Sequence, residues 1–332
     1  MKTFDNVTLY SDEVSTIKHR SDCDTSVDFA GAKLDVPMIC SPMPDICNGE
    51  MANTLCRAGA LGIIHRFQTI NEQIAEFSST KLEGDYFPII GCAIGVTGDF
   101  LERFERLWNC GCTIFCLDTA NGANIQVKIA LEAIKNLWTS WTDHKKPFVI
   151  AGNVATARAY TYLAELRVDA VRVGIAGGSV CETRNETGIY IPTLESVYQC
   201  SQVQKENWPL IIADGGIRIP SDMNKALACG ADLIMAGKIF AGYEETAGGT
   251  LELDGRLYKH YRGSASYSVQ QEYRNEKPDF KEGRETLVPY ANQSVLKVLK
   301  RFKSGLQGSM AYANALTLQE YRNHIIVADL GD

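Results

Sequence analysis

The chain has 332 residues, 45% hydrophobic and 22% charged, enough apolar material to bury a large core and to exclude a disordered chain. Its formal net charge of -7, from 33 basic against 40 acidic residues, argues against general nucleic-acid binding, so an anionic ligand needs a local site. No basic segment followed by an apolar core opens the chain, and no apolar stretch reaches the roughly 20 residues that span a bilayer; a cytoplasmic protein without membrane contact is expected.

Eight short apolar runs follow in order: VPMICS from Val36, LGIIH from Leu61, FPIIGCAIG from Phe87, TIFCLD from Thr113, PFVIAGN from Pro147, AVRVGI from Ala170, LIIAD from Leu210 and DLIMAG from Asp232. Their continuous apolar character suits strands buried on both faces of a parallel sheet. Between them lie helix-like segments such as NGEMANTLCRAGA and ATARAYTYLAELRV, several opening on an N-cap residue. This alternation predicts an α/β fold, a closed (β/α)8 TIM barrel formed by residues 1–332 as one domain; a doubly wound open sheet is the alternative.

Eleven cysteines, an odd count scattered through apolar segments, indicate reduced thiols. Cys110, Cys112 and Cys116 crowd together, but no second Cys or His pair follows at zinc spacing, and the segment reads as a strand.

Two connections break the rhythm. The loop after the sixth run, about 174–191, is long for a βα loop and carries Cys181 among glycines. Beyond the eighth run the chain is polar with little periodicity from Gly248 to about Gln293, which predicts a flap over about 264–288, before a last amphipathic stretch from Ser294 to His324. Glycines follow the last two strands in ADGGIRIPSD and MAGKIFAGYEE, where backbone amides at a helix start can hold a phosphate dianion. Asp214 and Asp118 end their strands at the same mouth, as ribose-binding carboxylates or as caps.

These residues carry a resemblance. From TFDNVTL through SPM (41–43), AGNVATA, VGIAGGSVCETR (173–184), IADGGIR (212–218) and YRGSAS (261–266), the chain resembles the IMP dehydrogenase and GMP reductase family over nearly its whole length. The resemblance implies that Cys181 attacks carbon 2 of a purine mononucleotide, forming a covalent thioimidate, while a stacked nicotinamide exchanges hydride there. It implies substrate contacts from Ser41, Met43, Ser179, Asp214, Gly215, Gly216, Gly237, Lys238, Tyr261, Gly263 and Ser264, and cofactor contacts from Asp118, Thr119 and Ala120. A homo-oligomer of four or more subunits is implied as well.

The direction of reaction turns on fewer residues. The dehydrogenases hydrolyse the intermediate with an Arg-Tyr pair in the flap, where this chain has Tyr273 followed by Arg274. The reductases use a threonine and a flap glutamate, which Thr183 and Glu282 match. Between His65 and Phe87 there is no room for the regulatory insertion of most dehydrogenases, and STIKHRSDCDTSVDF and DTANG resemble reductases; SPM, LGIIHR and Arg172 resemble dehydrogenases. The resemblance therefore points to a GMP reductase using NADPH, with Cys181, Thr183 and Glu282 catalytic, and with IMP dehydrogenase or a non-catalytic nucleotide binder as alternatives. A flavin barrel would leave Cys181 unexplained. Three residues depart from the pattern: Ala176 stands for a glycine at a potassium site formed by backbone carbonyls of Ala176, Gly178 and Cys181, Ser264 for a methionine, and Lys238 for a small residue.

Overall fold

The computed structural model describes residues 1–80, 89–140, 146–274 and 282–331. Eight parallel strands close into a barrel: Met38–Cys40, Leu61–Ile64, Ile90–Ile94, Ile114–Asp118, Phe148–Val154, Ala170–Val173, Leu210–Asp214 and Leu233–Ala236. Each pairs with its chain neighbours, and the last returns to the first through Ile234, Met235 and Ala236 opposite Met38, Ile39 and Cys40. The eight expected runs are these eight strands, and the open sheet is excluded.

Strand alternation divides the core in two. Ile39, Leu61, Ile63, Ala93, Ile114, Cys116, Ile150, Ala170, Ile212, Leu233 and Met235 fill the interior, whereas Phe115, Leu117, Val171 and Ile211 face outward into the larger core shared with the helices. A hairpin of Val27–Phe29 and Ala32–Leu34 belongs to the inner cluster. Its Phe29 ring meets Phe148, at the start of the fifth strand, with centroids 4.5 Å apart, so the hairpin stops the N-terminal end of the barrel. The C-terminal end is left as the mouth.

Helices start where side chains satisfy their first amides. Asn48 caps Gly49–Arg57, Thr69 forms a capping box with Glu72 on Ile70–Ser79, Asn124 caps Ile125–Thr139 and Thr156 caps Ala157–Glu165. Each such cap is worth about 1 kcal/mol.

The chain beyond the eighth strand is more regular than its sequence suggests. Thr250–Leu253, Arg256–Arg262 and Glu285–Pro289 form an antiparallel sheet, and Tyr267–Arg274 is a helix. Thr250–Leu253 is exposed throughout, so no buried face imposes an apolar alternation on it. The last amphipathic stretch is two helices, Leu296–Tyr312 and Leu318–His324, rather than one. Asn314, with φ of 49°, turns the chain between them, and Thr317 opens the second with a capping box. Ile326–Asp329 then pairs with Val7–Tyr10, joining the two ends of the chain.

Candidate active site

The inward rows of three strands end in charge. Asp118 continues the row of Ile114 and Cys116, Arg172 follows Ala170, and Asp214 follows Ile212, so the period of two delivers all three to the mouth. Arg172, 7% exposed, donates from Nη1 to Asp118 Oδ1 at 2.7 Å and from Nε to Asp214 Oδ2 at 3.0 Å. Gly152 makes room for it: a Cβ there would lie 2.6 Å from the Arg172 Cβ. Arg66 pairs with Asp118 from another side at 3.4 Å. Burial pushes the Asp118 carboxyl up, but the two guanidiniums outweigh it and hold the group below the usual carboxylate range. Asn153 donates to Asp214 Oδ2 at 2.8 Å and to the Gly174 carbonyl at 2.7 Å, tying strand, carboxylate and loop together.

The loop after the sixth strand presents Cys181 half-buried at this mouth. Its thiol lies 3.2 Å from the Thr183 hydroxyl as donor, and that hydroxyl donates in turn to Glu282 Oε2 at 2.6 Å. Glu282 reaches the loop because the returning flap strand is stitched to it by backbone: Arg284 N donates to Val180 O, Glu182 N to Glu282 O, and Cys181 bridges Gly283. Arg284 adds a bond from Nη2 to the Ser179 carbonyl and an ion pair with Glu182 at 3.1 Å. Thr183 also begins a short helix, Thr183–Thr187, within the loop. The three residues expected to be catalytic are therefore one hydrogen-bonded chain from thiol to carboxylate.

The expected phosphate side is assembled from backbone. The cysteine loop and the Gly215-Gly216 turn touch: a Cβ on Gly215 would lie 3.0 Å from the Gly177 carbonyl carbon, and one on Gly174 only 2.0 Å from Asp214 O. Gly215 and Gly216 hold φ of 91° and 81°, which only glycine adopts at low cost. A Cβ on Gly237 would meet Met43 Sδ at 2.7 Å and the Tyr261 oxygen at 3.3 Å, and Ser179 Oγ lies 3.3 Å from the same Tyr261 hydroxyl. Ser41 is buried beside the eighth strand, its amide donating to Ala236 O. Gly263 packs against Val180 and Gly283, and Ser264 follows it half-buried. Lys238 is exposed.

A cavity of about 860 Å³ opens beside this cluster, lined among others by Arg66, Phe67, Asp118, Thr119, Ala120 and Tyr273. All three residues expected to contact the cofactor line it. The Tyr267–Arg274 helix covers one side, with Tyr273 edge-on to Phe67 at 6.1 Å. Arg262 latches that helix to the barrel: it grips both oxygens of buried Asp45 at 2.8 and 2.7 Å and reaches Glu272 at 2.8 Å. Sequence reasoning assigned no role to Arg66, Asn153 or Arg172. The inward parity of Arg172 beside two strand-end aspartates was the signal that could have found it.

Among the described residues no group of His, Cys, Asp and Glu side chains could hold a metal ion, and no helix is long and apolar enough to cross a membrane. At the turn expected to bind potassium, Ala176 keeps a φ of 60° despite its Cβ, and the Gly178 carbonyl accepts the Cys181 amide.

Fold and mouth define a (β/α)8 barrel with a relayed thiol after strand six and glycine turns after strands seven and eight. The family described as IMP dehydrogenase / GMP reductase domain matches residues 1–330, and the chain belongs to that family, an oxidoreductase by type. It is 36% identical to the GMP reductase of Chromobacterium violaceum over 310 residues, covering 93% of this chain and 92% of that one. The GMP reductase of Bacillus licheniformis is 34% identical over 313 residues, 92% of this chain and 90% of that protein. The inosine-5'-monophosphate dehydrogenase of Nitrosopumilus maritimus is 35% identical over 248 residues, 71% of this chain but 51% of the longer relative.

Proposed function

We propose that the protein is a GMP reductase, converting GMP, NADPH and a proton to IMP, ammonia and NADP⁺ through a covalent bond between Cys181 and carbon 2 of the purine. The observation that carries this reading is the relay from Cys181 through Thr183 to Glu282. A thiol proton moves along it toward the carboxylate as sulfur attacks, and the same groups return a proton to the departing amine. Hydride addition at carbon 2 then expels the sulfur as thiolate, which takes a proton from solvent to regenerate the thiol.

Asp214 is the acceptor for the ribose hydroxyls, because the side-chain donors that reach it among the described residues end on Oδ2 and none ends on Oδ1. The amides of Gly215, Gly216 and Gly237, with Ser179 and Tyr261, hold the 5'-phosphate, and Lys238 adds positive charge at the rim. Ser41, Met43, Gly263 and Ser264 border the base. The cavity at Asp118, Thr119 and Ala120 fits a nicotinamide dinucleotide in size and in its two aromatic rings. When bound there, the dinucleotide supplies the hydride that replaces the amine at carbon 2. A potassium ion would face the carbonyls of Ala176, Gly178 and Cys181, where the Gly178 oxygen shares itself with the Cys181 amide.

The test is absorbance at the reduced nicotinamide band with GMP and NADPH. Loss of absorbance is expected. No loss, together with NAD⁺ reduction by IMP, would establish the dehydrogenase direction, toward which Arg172 and the SPM segment lean.

A further inference from the structure

Arg172 joins the two ligand regions by a single side chain. On one side it holds Asp118, which lines the large cavity; on the other it holds Asp214, which leads into the Gly215-Gly216 turn. The guanidinium is buried, and both carboxylate side chains are largely so, at 14% and 11% exposure. A planar fork can serve two carboxylates at once, because its Nη1 edge faces one while Nε and Nη2 face the other; an ammonium presents no such fixed pair of edges. Arg66 and Arg172 balance Asp118 and Asp214 in number, so the network is neutral and neither carboxylate can move without leaving the other's partner incompletely paired in a buried site.

We infer that Arg172 couples the two sites, so that a nucleotide bound at Asp214 tightens binding of the dinucleotide at Asp118, and the reverse by the same factor. The inference rests on the nucleotide and dinucleotide placements proposed above. Its physical basis is ordering: ribose hydroxyls donating to Asp214 Oδ1 fix that carboxylate, the fixed carboxylate fixes the guanidinium, and Asp118 is then held in its binding orientation before the second ligand arrives. Arg172 touches neither reacting atom and acts as a positioning residue. Asn153, which also donates to Asp214, adds rigidity on the nucleotide side but has no bond to Asp118 among the described residues.

The test is calorimetric titration of the whole protein with GMP, with NADP⁺, and with each in the presence of the other. GMP and the oxidised dinucleotide cannot exchange hydride, so binding is read without turnover. The native protein should bind NADP⁺ at least about fivefold more tightly when GMP is present. In Arg172→Lys, which keeps the buried charge, the ratio should fall to about twofold or less. A general loss of packing would weaken each ligand alone and leave the ratio unchanged. An unchanged ratio in Arg172→Lys, or independent binding in the native protein, overturns the coupling while leaving the nucleotide site standing. Failure of GMP to bind the native protein overturns the nucleotide reading and the coupling with it.

Discussion

The Thr183 hydroxyl donates to Glu282 at 2.6 Å across 99 residues of chain, and the same hydroxyl accepts from Cys181. Glu282 thus completes a hydrogen-bonded chain that begins on the barrel loop. Replacing Glu282 by Gln keeps the shape and removes the acceptor charge. Its kcat with GMP and NADPH should fall by about 10² to 10⁴ with little change in the KM for GMP, and Thr183→Ala should fall comparably. Double replacement should cost little more than either alone, since the two act as one unit. Steady-state kinetics of the three variants check this; additive losses would show two separate roles.

The Tyr267–Arg274 helix is held by Arg262, which grips Asp45, 3% exposed, and reaches Glu272. Asp45→Asn leaves the guanidinium short of its counter-charge and should cost about 3 kcal/mol. Because the latched helix borders the large cavity rather than the glycine turns, the KM for the dinucleotide should rise more than that for GMP. Denaturant unfolding and initial rates measure the two effects.

His65 should set an acid limit on the protein's stability. Burial pushes its imidazole down to about 4, aided by Arg103 and opposed by Asp45 and Glu72, and Nδ1 has no partner among the described residues. The folded state therefore binds its proton more weakly than the unfolded chain does. Stability is fully present above the ordinary pKa near 6.5 and falls as pH drops toward 4, by about 3 kcal/mol in all. Asp118, held below the usual carboxylate range by its guanidiniums, contributes its own loss only at lower pH. Urea unfolding of His65→Gln between pH 7 and 4 should show a flatter profile than the native protein; parallel profiles would assign the acid sensitivity elsewhere.

Much of this was legible in the sequence, and the reason is periodicity. Eight runs buried on both faces leave an unbroken apolar trace, so strand number and order could be counted, and the loops carrying Cys181, Gly215 and Gly237 followed from that order. The antiparallel sheet beyond the eighth strand was not legible, because Thr250–Leu253 faces solvent on both sides and leaves no such trace. The charge cluster at the mouth was half visible. Asp118 and Asp214 stood out as strand ends, while Arg172, inside an apolar run, read as a family trait until its inward parity placed it between them. Contacts between distant segments, such as Arg262 with Asp45, leave no spacing in the sequence to find.

Backbone proximity makes a sharper test of the loop geometry. Gly174→Ala would place a methyl 2.0 Å from the Asp214 carbonyl at a φ of 144°, forcing the cysteine loop away from the glycine turn. Activity should be lost and stability should fall by more than about 3 kcal/mol. Gly111→Ala, at a φ of 98° with open space around it, should cost only about 1 to 2 kcal/mol and leave turnover in place. Thermal unfolding and activity of the pair separate local strain from collision.

The most direct test of the central claim is product analysis after incubating the protein with GMP and NADPH, and separately with IMP and NAD⁺. The account predicts IMP and one ammonia per NADPH consumed in the first mixture, both abolished in Cys181→Ala, and no XMP in the second. Formation of XMP from IMP, with GMP left untouched, would contradict it.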